Sequence, residues 1–223
     1  MKLGIIGDVM LGRFVREHHK KAPYYLLSPD VEETVHGFDF CIGNLESPIT
    51  DAEERDSLKF SGNSNLLDCF RWINCFSLSN NHINDFGEDG MIDTINALTQ
   101  NHFEYNGLYE DKYRPLIIRK DNNKLAVVTC TDMLNKEFDE QCRYHTLRAT
   151  SQQMNEVISE YQKDHFVIVY AHIGHLFSRF PNPQVRDIIY SWIDAGAGCI
   201  VTVHSHCLGG GCFFINAYQF SIV

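Results

Sequence analysis

Short apolar segments alternate with amphipathic segments along most of this chain, which is the pattern of an α/β protein with a largely parallel central sheet. The apolar runs predict strands at 2–6, 38–42, 75–78, 115–118, 124–130, 165–170 and 198–203, with the last strands within 213–223. Helices are predicted at 12–21, 66–72, 90–101, 151–162 and 183–195, and a polar loop at 51–65. The turn residues 121–123 between two of the strands predict a hairpin.

The length and the ends of the chain predict one domain over residues 1–223. A chain of 223 residues is within the size of a single α/β domain. It stops inside an apolar, strand-like run, which predicts either a truncated chain or a final strand at the terminus. The first residues resemble a strand rather than a targeting segment, and the apolar runs are too short to cross a bilayer. We therefore expect a cytoplasmic protein without a membrane span.

The composition and the net charge exclude some classes of protein and argue against some classes of partner. Hydrophobic residues make up 44% of the chain and charged residues 22%, which excludes a disordered protein. The net charge of −10 argues against a nucleic-acid partner, which requires a basic face. An acidic protein can bind an anionic substrate when a cation lies between them. The eight cysteines form no CxxC pair, and we interpret most of them as small buried residues in a reducing compartment.

Polar side chains that can bind a metal follow five of the predicted strands. They are Asp8, Asn44, Glu46, Asn81, His82, His172, His204 and His206. In an open α/β sheet, ligands bind at the carboxyl ends of the strands, so these residues are predicted to converge although they span most of the chain. Each residue alone is also explained as a turn or cap, and a metal analysis separates the two interpretations.

The types of these side chains indicate the metal. Imidazole, carboxylate and amide oxygen together suit borderline divalent ions such as Mn²⁺, Zn²⁺ or Fe²⁺. A set of this size can hold two ions, which activate a water molecule and stabilise charge on a phosphoryl or carbonyl oxygen. The sequence therefore predicts two divalent cations as cofactors, and an anionic small molecule or polymer as substrate.

Four motifs resemble the CapA proteins, the poly-γ-glutamate capsule biosynthesis family within the calcineurin-like metallophosphoesterase superfamily. They are GDVMLGR at 7–13, GNLESPIT at 43–50, SLSNNHINDFGEDG at 77–90 and IDAGAGCIVTVHSH at 193–206. The resemblance implies a four-layer αββα sandwich with a dinuclear metal site. It implies His82 as the catalytic residue near the leaving group. It also implies a set of metal ligands, namely Asp8, Asn44, Glu46, Asn81, His172, His204 and His206.

The chain departs from the family pattern at one position that bears on activity. The family motif His-Trp-Gly-x-Glu is here replaced by 172–176, so that Leu176 stands at the glutamate position. The leading hypothesis is a metal-dependent hydrolase that cleaves a phosphoester, or else an amide, and is linked by resemblance to capsule biosynthesis. The alternative hypothesis, which Leu176 favours, is a non-catalytic metal-binding accessory protein of polyglutamate or peptide polymer assembly.

Overall fold

The computed structural model describes residues 1–19, 28–52, 58–207, 212–214 and 217–221. The chain divides into two compact units. Unit 1 comprises Met1–Tyr105 and Leu134–Tyr144, and unit 2 comprises Asn106–Met133 and His145–Val223. The predicted single domain over 1–223 stays a prediction.

The first sheet has four strands in the order β1-β2-β3-β4. The strands are β1 (Leu3–Val9), β2 (Phe40–Leu45), β3 (Cys75–Ser77) and β4 (Glu104–Asn106). Unit 1 also contains the helices α1 (Arg13–His19), α2 (Pro29–Val35) and α3 (Gly87–Gln100), and a 3-10 helix at Ser64–Phe70. β1, β2 and β3 are parallel, so their carboxyl ends lie at one edge of the sheet.

The second sheet has six strands in the order β5-β6-β7-β8-β10-β9. The strands are β5 (Leu116–Lys120), β6 (Asn123–Thr131), β7 (Phe166–His172), β8 (Cys199–Val203), β9 (Cys212–Phe214) and β10 (Ala217–Ser221). β6, β7, β8 and β10 are parallel, whereas β5 and β9 run antiparallel to their neighbours. The polar residues that follow β7 and β8 therefore lie at one edge of this sheet.

Two amphipathic helices cover the second sheet. They are α4 (Gln152–Tyr161) and α5 (Pro183–Asp194), and each starts at a capping residue. Ser151 accepts a hydrogen bond from the amide of Met154 (3.3 Å), and Asn182 accepts one from the amide of Val185 (2.8 Å). Trp192 of α5 and Val169 of β7 belong to one buried cluster. This packing holds α5 against β7, the strand that ends at His172.

The α/β class predicted from the sequence is confirmed. The hairpin is confirmed too, because Lys120 pairs with Asn123 and leaves a two-residue turn. Asp121 in that turn has a φ of +53°, the left-handed conformation found in such turns. α1 confirms the predicted helix as far as residue 19, and residues 20–21 lie outside the described ranges. α2 and β4 were not predicted from the sequence, and the short helix predicted at 66–72 is a 3-10 helix at Ser64–Phe70.

Among the described residues, no helix is both long and apolar enough to cross a membrane. This finding agrees with the absence of a predicted membrane span. The predicted cytoplasmic location stays a prediction.

Candidate functional site

Asp8 and Asn44 lie side by side at the carboxyl ends of β1 and β2. The two residues are register partners, and Nδ2 of Asn44 donates a hydrogen bond of 2.8 Å to Oδ1 of Asp8. The register shifts between Ile5 and Asp8, where β1 holds one residue more than β2. An extra residue of this kind redirects the side chains that follow it, since side chains alternate between the two faces of a strand. The shift therefore brings Asp8 beside Asn44.

Asn80 is a buried residue of the site that the sequence analysis did not select. Its Nδ2 donates to Oδ1 of Asn44 (3.1 Å) and to the carbonyl of Leu45 (2.8 Å), while its Oδ1 accepts from the amide of His82 (3.1 Å). Asn80 thereby ties the end of β2 to the loop that carries His82. Its position next to Asn81 and His82 in the SNNH motif was the only signal in the sequence.

Glu46 follows β2 directly and is buried, with 3% of its surface exposed. Its amide donates to the carbonyl of Val9 (3.1 Å), which fixes it beside the end of β1. Burial, the Asp8 carboxylate and the Asp85 carboxylate together raise the pKa of Glu46 to about 8. Unit 1 therefore concentrates negative charge at this edge of its sheet, and a divalent cation would stabilise that charge.

His82 is held by Asp85, a second residue that the sequence analysis did not select. Nδ1 of His82 lies 2.7 Å from Oδ2 of Asp85, and both side chains are buried. The amide of Phe60 also donates to Oδ2 of Asp85 (3.0 Å), and the ring of Phe60 lies 4.2 Å from the ring of His82. The guanidinium of Arg13 lies 4.0 Å from the centre of the Phe60 ring. The three-residue spacing of His82 and Asp85 in NNHIND could have indicated this pair.

Asn81 contacts a distant part of unit 1 through both its side chain and its backbone. Its Nδ2 donates to Oδ1 of Asn135 (3.1 Å), and its carbonyl accepts from the amide of Asn135 (3.0 Å). Asn135 is a third residue of the site that the sequence analysis did not select, and its distance along the chain gave no signal.

The predicted ligands of unit 2 form a histidine group at the ends of β7 and β8. Nδ1 of His204 lies 3.0 Å from Nε2 of His172, and both residues are buried. His206 is exposed, and its ring centroid lies 6.2 Å from that of His204. His204 and His206 have φ values of +98° and +53°. Strained backbone of this kind in residues other than glycine is found preferentially at functional sites.

Each unit thus brings predicted site residues together. Asp8, Asn44 and Glu46 share one edge in unit 1, and His172, His204 and His206 form one group in unit 2. Convergence of the complete set on one metal site stays a prediction. His175, beside the departure at Leu176, is exposed, and its Nε2 lies 2.6 Å from Nδ2 of Asn182 at the start of α5.

A family model described as bacterial capsule synthesis protein PGA_cap matches residues 2–214. The chain belongs to the PGA_cap family. This membership confirms the resemblance inferred from the four motifs, which lie within the matched range.

Two curated relatives support the assignment to the PGA_cap family. The chain is 27% identical over 222 residues to the PGA biosynthesis protein CapA of Bacillus subtilis (strain 168), an alignment that covers 93% of this chain and 58% of that protein. It is 24% identical over 225 residues to the capsule biosynthesis protein CapA of Bacillus anthracis, with 93% and 55% covered. The chain therefore spans somewhat more than half the length of these two relatives.

A solved structure resembles the fold of this PGA_cap chain. The crystal structure of a hypothetical protein from Thermus thermophilus matches with a TM-score of 0.54 and 14% sequence identity. The match covers 100% of this chain and 76% of that one. At this identity the likeness concerns the fold alone.

Proposed function

We propose that this PGA_cap chain is a metal-dependent hydrolase with a dinuclear site, which cleaves a phosphoester or an amide. The observation that carries the proposal is the environment of Glu46. Its carboxyl group is buried beside the carboxylates of Asp8 and Asp85, and this raises its pKa to about 8. Buried carboxylates are stabilised when they are paired or coordinate a metal. A divalent cation held by Glu46 and Asp8 would supply that stabilisation and favour the ionised form of Glu46.

The donor atoms fit a borderline divalent ion. The proposed ligands in unit 1 offer carboxylate and amide oxygens, and those in unit 2 offer imidazole nitrogens, a combination suited to Mn²⁺, Zn²⁺ or Fe²⁺. The ligand set is Asp8, Asn44, Glu46, Asn81, His172, His204 and His206. Ions bound there would activate a water molecule and stabilise negative charge on the oxygens of the reacting group.

The chain's own acid is proposed to be His82. The Asp85 carboxylate accepts a hydrogen bond from Nδ1 of His82. Nε2 is then the nitrogen that takes up a proton from solvent and gives it to the departing oxygen or nitrogen. Phe60 supports this arrangement through its amide, which donates to Asp85, and through its ring. Arg13, above Phe60, is the cation proposed to contact an anionic substrate.

The proposed role of this activity is in the biosynthesis of a capsule or of polyglutamate. The two Bacillus relatives are named for PGA and capsule biosynthesis, and the substrate we propose is an anionic polymer or one of its building blocks. The αββα sandwich implied by the sequence resemblance is part of the same proposal.

Metal analysis followed by a substrate panel tests the proposal. The purified full chain, reloaded with Mn²⁺ or Zn²⁺, should bind about two equivalents by elemental analysis. It should then hydrolyse p-nitrophenyl phosphate, bis(p-nitrophenyl) phosphate or γ-glutamyl-p-nitroanilide. Asp8→Ala and His206→Ala, one variant in each unit, should each reduce metal uptake. Asp111→Ala, an exposed aspartate, is the matched control and should leave uptake unchanged.

The role of His82 is tested separately. His82→Ala should lower kcat by about 100- to 10,000-fold, the usual contribution of a general acid. His36→Ala, an exposed histidine at the end of α2, should have no effect. Full activity in Asp8→Ala or in His206→Ala would overturn the proposal.

A second function is favoured by one observation. Leu176, at the position of the family's glutamate, has 50% of its surface exposed, and the neighbouring His175 contacts Asn182. We propose as the alternative a non-catalytic metal-binding accessory of polyglutamate or peptide polymer assembly. Metal uptake without turnover on any of the three substrates would support it, and hydrolysis abolished by His82→Ala would exclude it.

A further inference from the structure

Residues 134–144 form a segment of unit 1 that packs on the loop carrying Asn81 and His82. We call it the clamp segment. Nδ2 of Asn84 donates to the carbonyls of Lys136 (3.0 Å) and Glu137 (2.8 Å), and the amide of Arg143 donates to Glu88 (2.8 Å). The segment is therefore fixed to this loop, and to the start of α3, by hydrogen bonds at both of its ends.

Asn135 of the clamp segment contacts three residues of this loop. Its backbone amide and side-chain oxygen bond with Asn81, as described above. Its Nδ2 lies 3.0 Å from Nδ1 of His82 and 3.4 Å from Oδ1 of Asp85. One amide group thus lies between the proposed ligand Asn81 and the proposed acid His82.

The donor and acceptor roles of these atoms fix the hydrogen-bond pattern. An amide nitrogen only donates, and a carboxylate oxygen only accepts. The hydrogen on Nδ1 of His82 therefore goes to Oδ2 of Asp85, at 2.7 Å. With its hydrogen directed at Asp85, Nδ1 cannot accept from Nδ2 of Asn135, although the two nitrogens lie 3.0 Å apart. The hydrogen on Nδ2 of Asn135 is therefore assigned to Oδ1, the other oxygen of Asp85, at 3.4 Å. Asn135 consequently holds the carboxylate that orients His82.

We propose that Asn135 is a positioning residue: it fixes Asp85, and through Asp85 keeps the hydrogen of His82 on Nδ1 and leaves Nε2 for the substrate. The same side chain fixes the amide of Asn81. The catalytic part of this proposal rests on the proposed hydrolase function, whereas the hydrogen-bond part concerns the metal-free protein. Asn135 acts through its neighbours and is not assigned a contact with the substrate.

Two variants of Asn135 separate its two contacts. Asn135→Ala removes both. Asn135→Asp keeps an oxygen that accepts from Asn81 but lacks the hydrogen donated to Asp85. Because Asn135 is exposed, both variants avoid a buried cavity. Gln141→Ala, an exposed amide on the same clamp segment, is the matched control.

The first readout is nitrogen NMR of the histidine side chains in the metal-free protein labelled with ¹⁵N-histidine. The signals of His82 are identified by their loss in His82→Gln. In the wild type and in Gln141→Ala, His82 should show a hydrogen on Nδ1 only. In Asn135→Ala the two nitrogens should become partly averaged. In Asn135→Asp the new carboxylate oxygen near Nδ1 competes with Asp85 for the Nδ1 hydrogen, so the Nδ1 signal should shift. If the His82 signals are unchanged in Asn135→Asp, the proposal is overturned. This variant tests the proposal even if Asn135→Ala does not fold.

The second readout is the metal affinity of each variant, together with its kcat and KM. Metal affinity should fall by about 10- to 100-fold in Asn135→Ala and should change less in Asn135→Asp, which retains the contact with Asn81. In an active enzyme both variants should lower kcat about 10-fold or more and leave KM within about two-fold. A change in KM alone would contradict positioning of His82. A wild type without turnover, whose His82 signals nevertheless respond to Asn135, would overturn the hydrolase and support the positioning role.

Discussion

Asn44 donates a hydrogen bond from its Nδ2 to Oδ1 of Asp8 (2.8 Å), while its own Oδ1 accepts one from Asn80 (3.1 Å). The side chain is completely buried. This relationship makes Asn44 the link between a proposed metal-binding carboxylate and the loop that carries His82. It also means that one substitution at Asn44 disturbs both.

Asn44→Ala should therefore reduce both stability and metal affinity. Hydrogen bonds to charged groups contribute about 1.5–3 kcal/mol, and we expect the free energy of unfolding to fall by about that amount. Metal affinity should fall by about 10- to 100-fold, because Asp8 loses the group that orients it. Urea unfolding and metal titration measure the two effects. Asn65→Ala, at an exposed asparagine of the 3-10 helix, should change stability by less than about 0.5 kcal/mol.

The irregular pairing of β1 and β2 depends on a glycine. Ile6 and Gly7 of β1 face only Gly43 of β2, and a Cβ atom at position 43 would lie 2.8 Å from Cδ1 and from Cγ1 of Ile6. Gly43→Ala should therefore cost about 1–3 kcal/mol of stability by overpacking. Ile6→Ala removes both of the crowded atoms.

A double-mutant cycle checks this explanation. The loss in the double variant should be smaller than the sum of the two single losses by about 0.5–3 kcal/mol, the range of coupling between residues in contact. Urea unfolding of the four proteins supplies the cycle. Strictly additive losses would show that Ile6 is not what excludes a side chain at Gly43.

The strands were predictable because their apolar runs are long and end in polar residues. β7 and β8 were found within two residues at each end, since their runs are buried and nearly continuous. β4 was missed because it has only three residues, of which Glu104 is exposed. α2 was missed because it buries a single residue, Val35, and so lacks an apolar stripe.

The candidate site was predictable where its residues lie at the carboxyl ends of strands or shortly after them. Asp8 near the end of β1, Glu46 after β2 and His204 after β8 satisfy that rule, and they were predicted from the sequence. Asn135 does not, because its approach to Asn81 depends on the path of residues 134–144 through unit 1. Long-range contacts of this kind leave no period or spacing in the sequence. The register shift before Asp8 was invisible for the same reason, since it is defined only by pairing with β2.

The cysteines differ in their environment, and this predicts their reactivity. Of the seven whose side chains are described, Cys41, Cys75 and Cys130 are buried and the other four are partly exposed. Burial raises the pKa of Cys41 to about 12 and raises the pKa values of Cys75 and Cys130 well above their usual range. The thiolate is the reactive form, so these three should not react in the native protein.

Alkylation with iodoacetamide at pH 8, followed by peptide mass spectrometry, checks this prediction. The partly exposed Cys207 should be modified while Cys41, Cys75 and Cys130 stay unmodified. All four should react in urea, which controls for peptide detection. Modification of Cys130 at the rate of Cys207 would contradict the described burial of β6.

The raised pKa of Glu46 predicts an unusual dependence of stability on pH in the metal-free protein. Its pKa is about 8 in the folded chain and about 4.5 in the unfolded chain, because burial and the carboxylates of Asp8 and Asp85 disfavour the charged form. Between these two values the folded state binds more protons than the unfolded state. The free energy of unfolding should therefore fall as the pH rises from about 4.5 to about 8, by up to about 1.4 kcal/mol per pH unit. Below this window Glu46 is protonated in both states and makes no contribution.

Glu46→Gln isolates this effect, because glutamine has the shape of the protonated acid and does not titrate. In the presence of a chelator, urea unfolding between pH 5 and pH 8 should show the variant gaining stability over the wild type as the pH rises. Glu160→Gln, at an exposed glutamate of α4, should instead follow the wild type at every pH. Mn²⁺ should flatten the slope of the wild type, since a bound cation favours the ionised carboxylate. If the Glu46→Gln curve and the wild-type curve run parallel across this window, Glu46 does not carry a raised pKa in the metal-free protein.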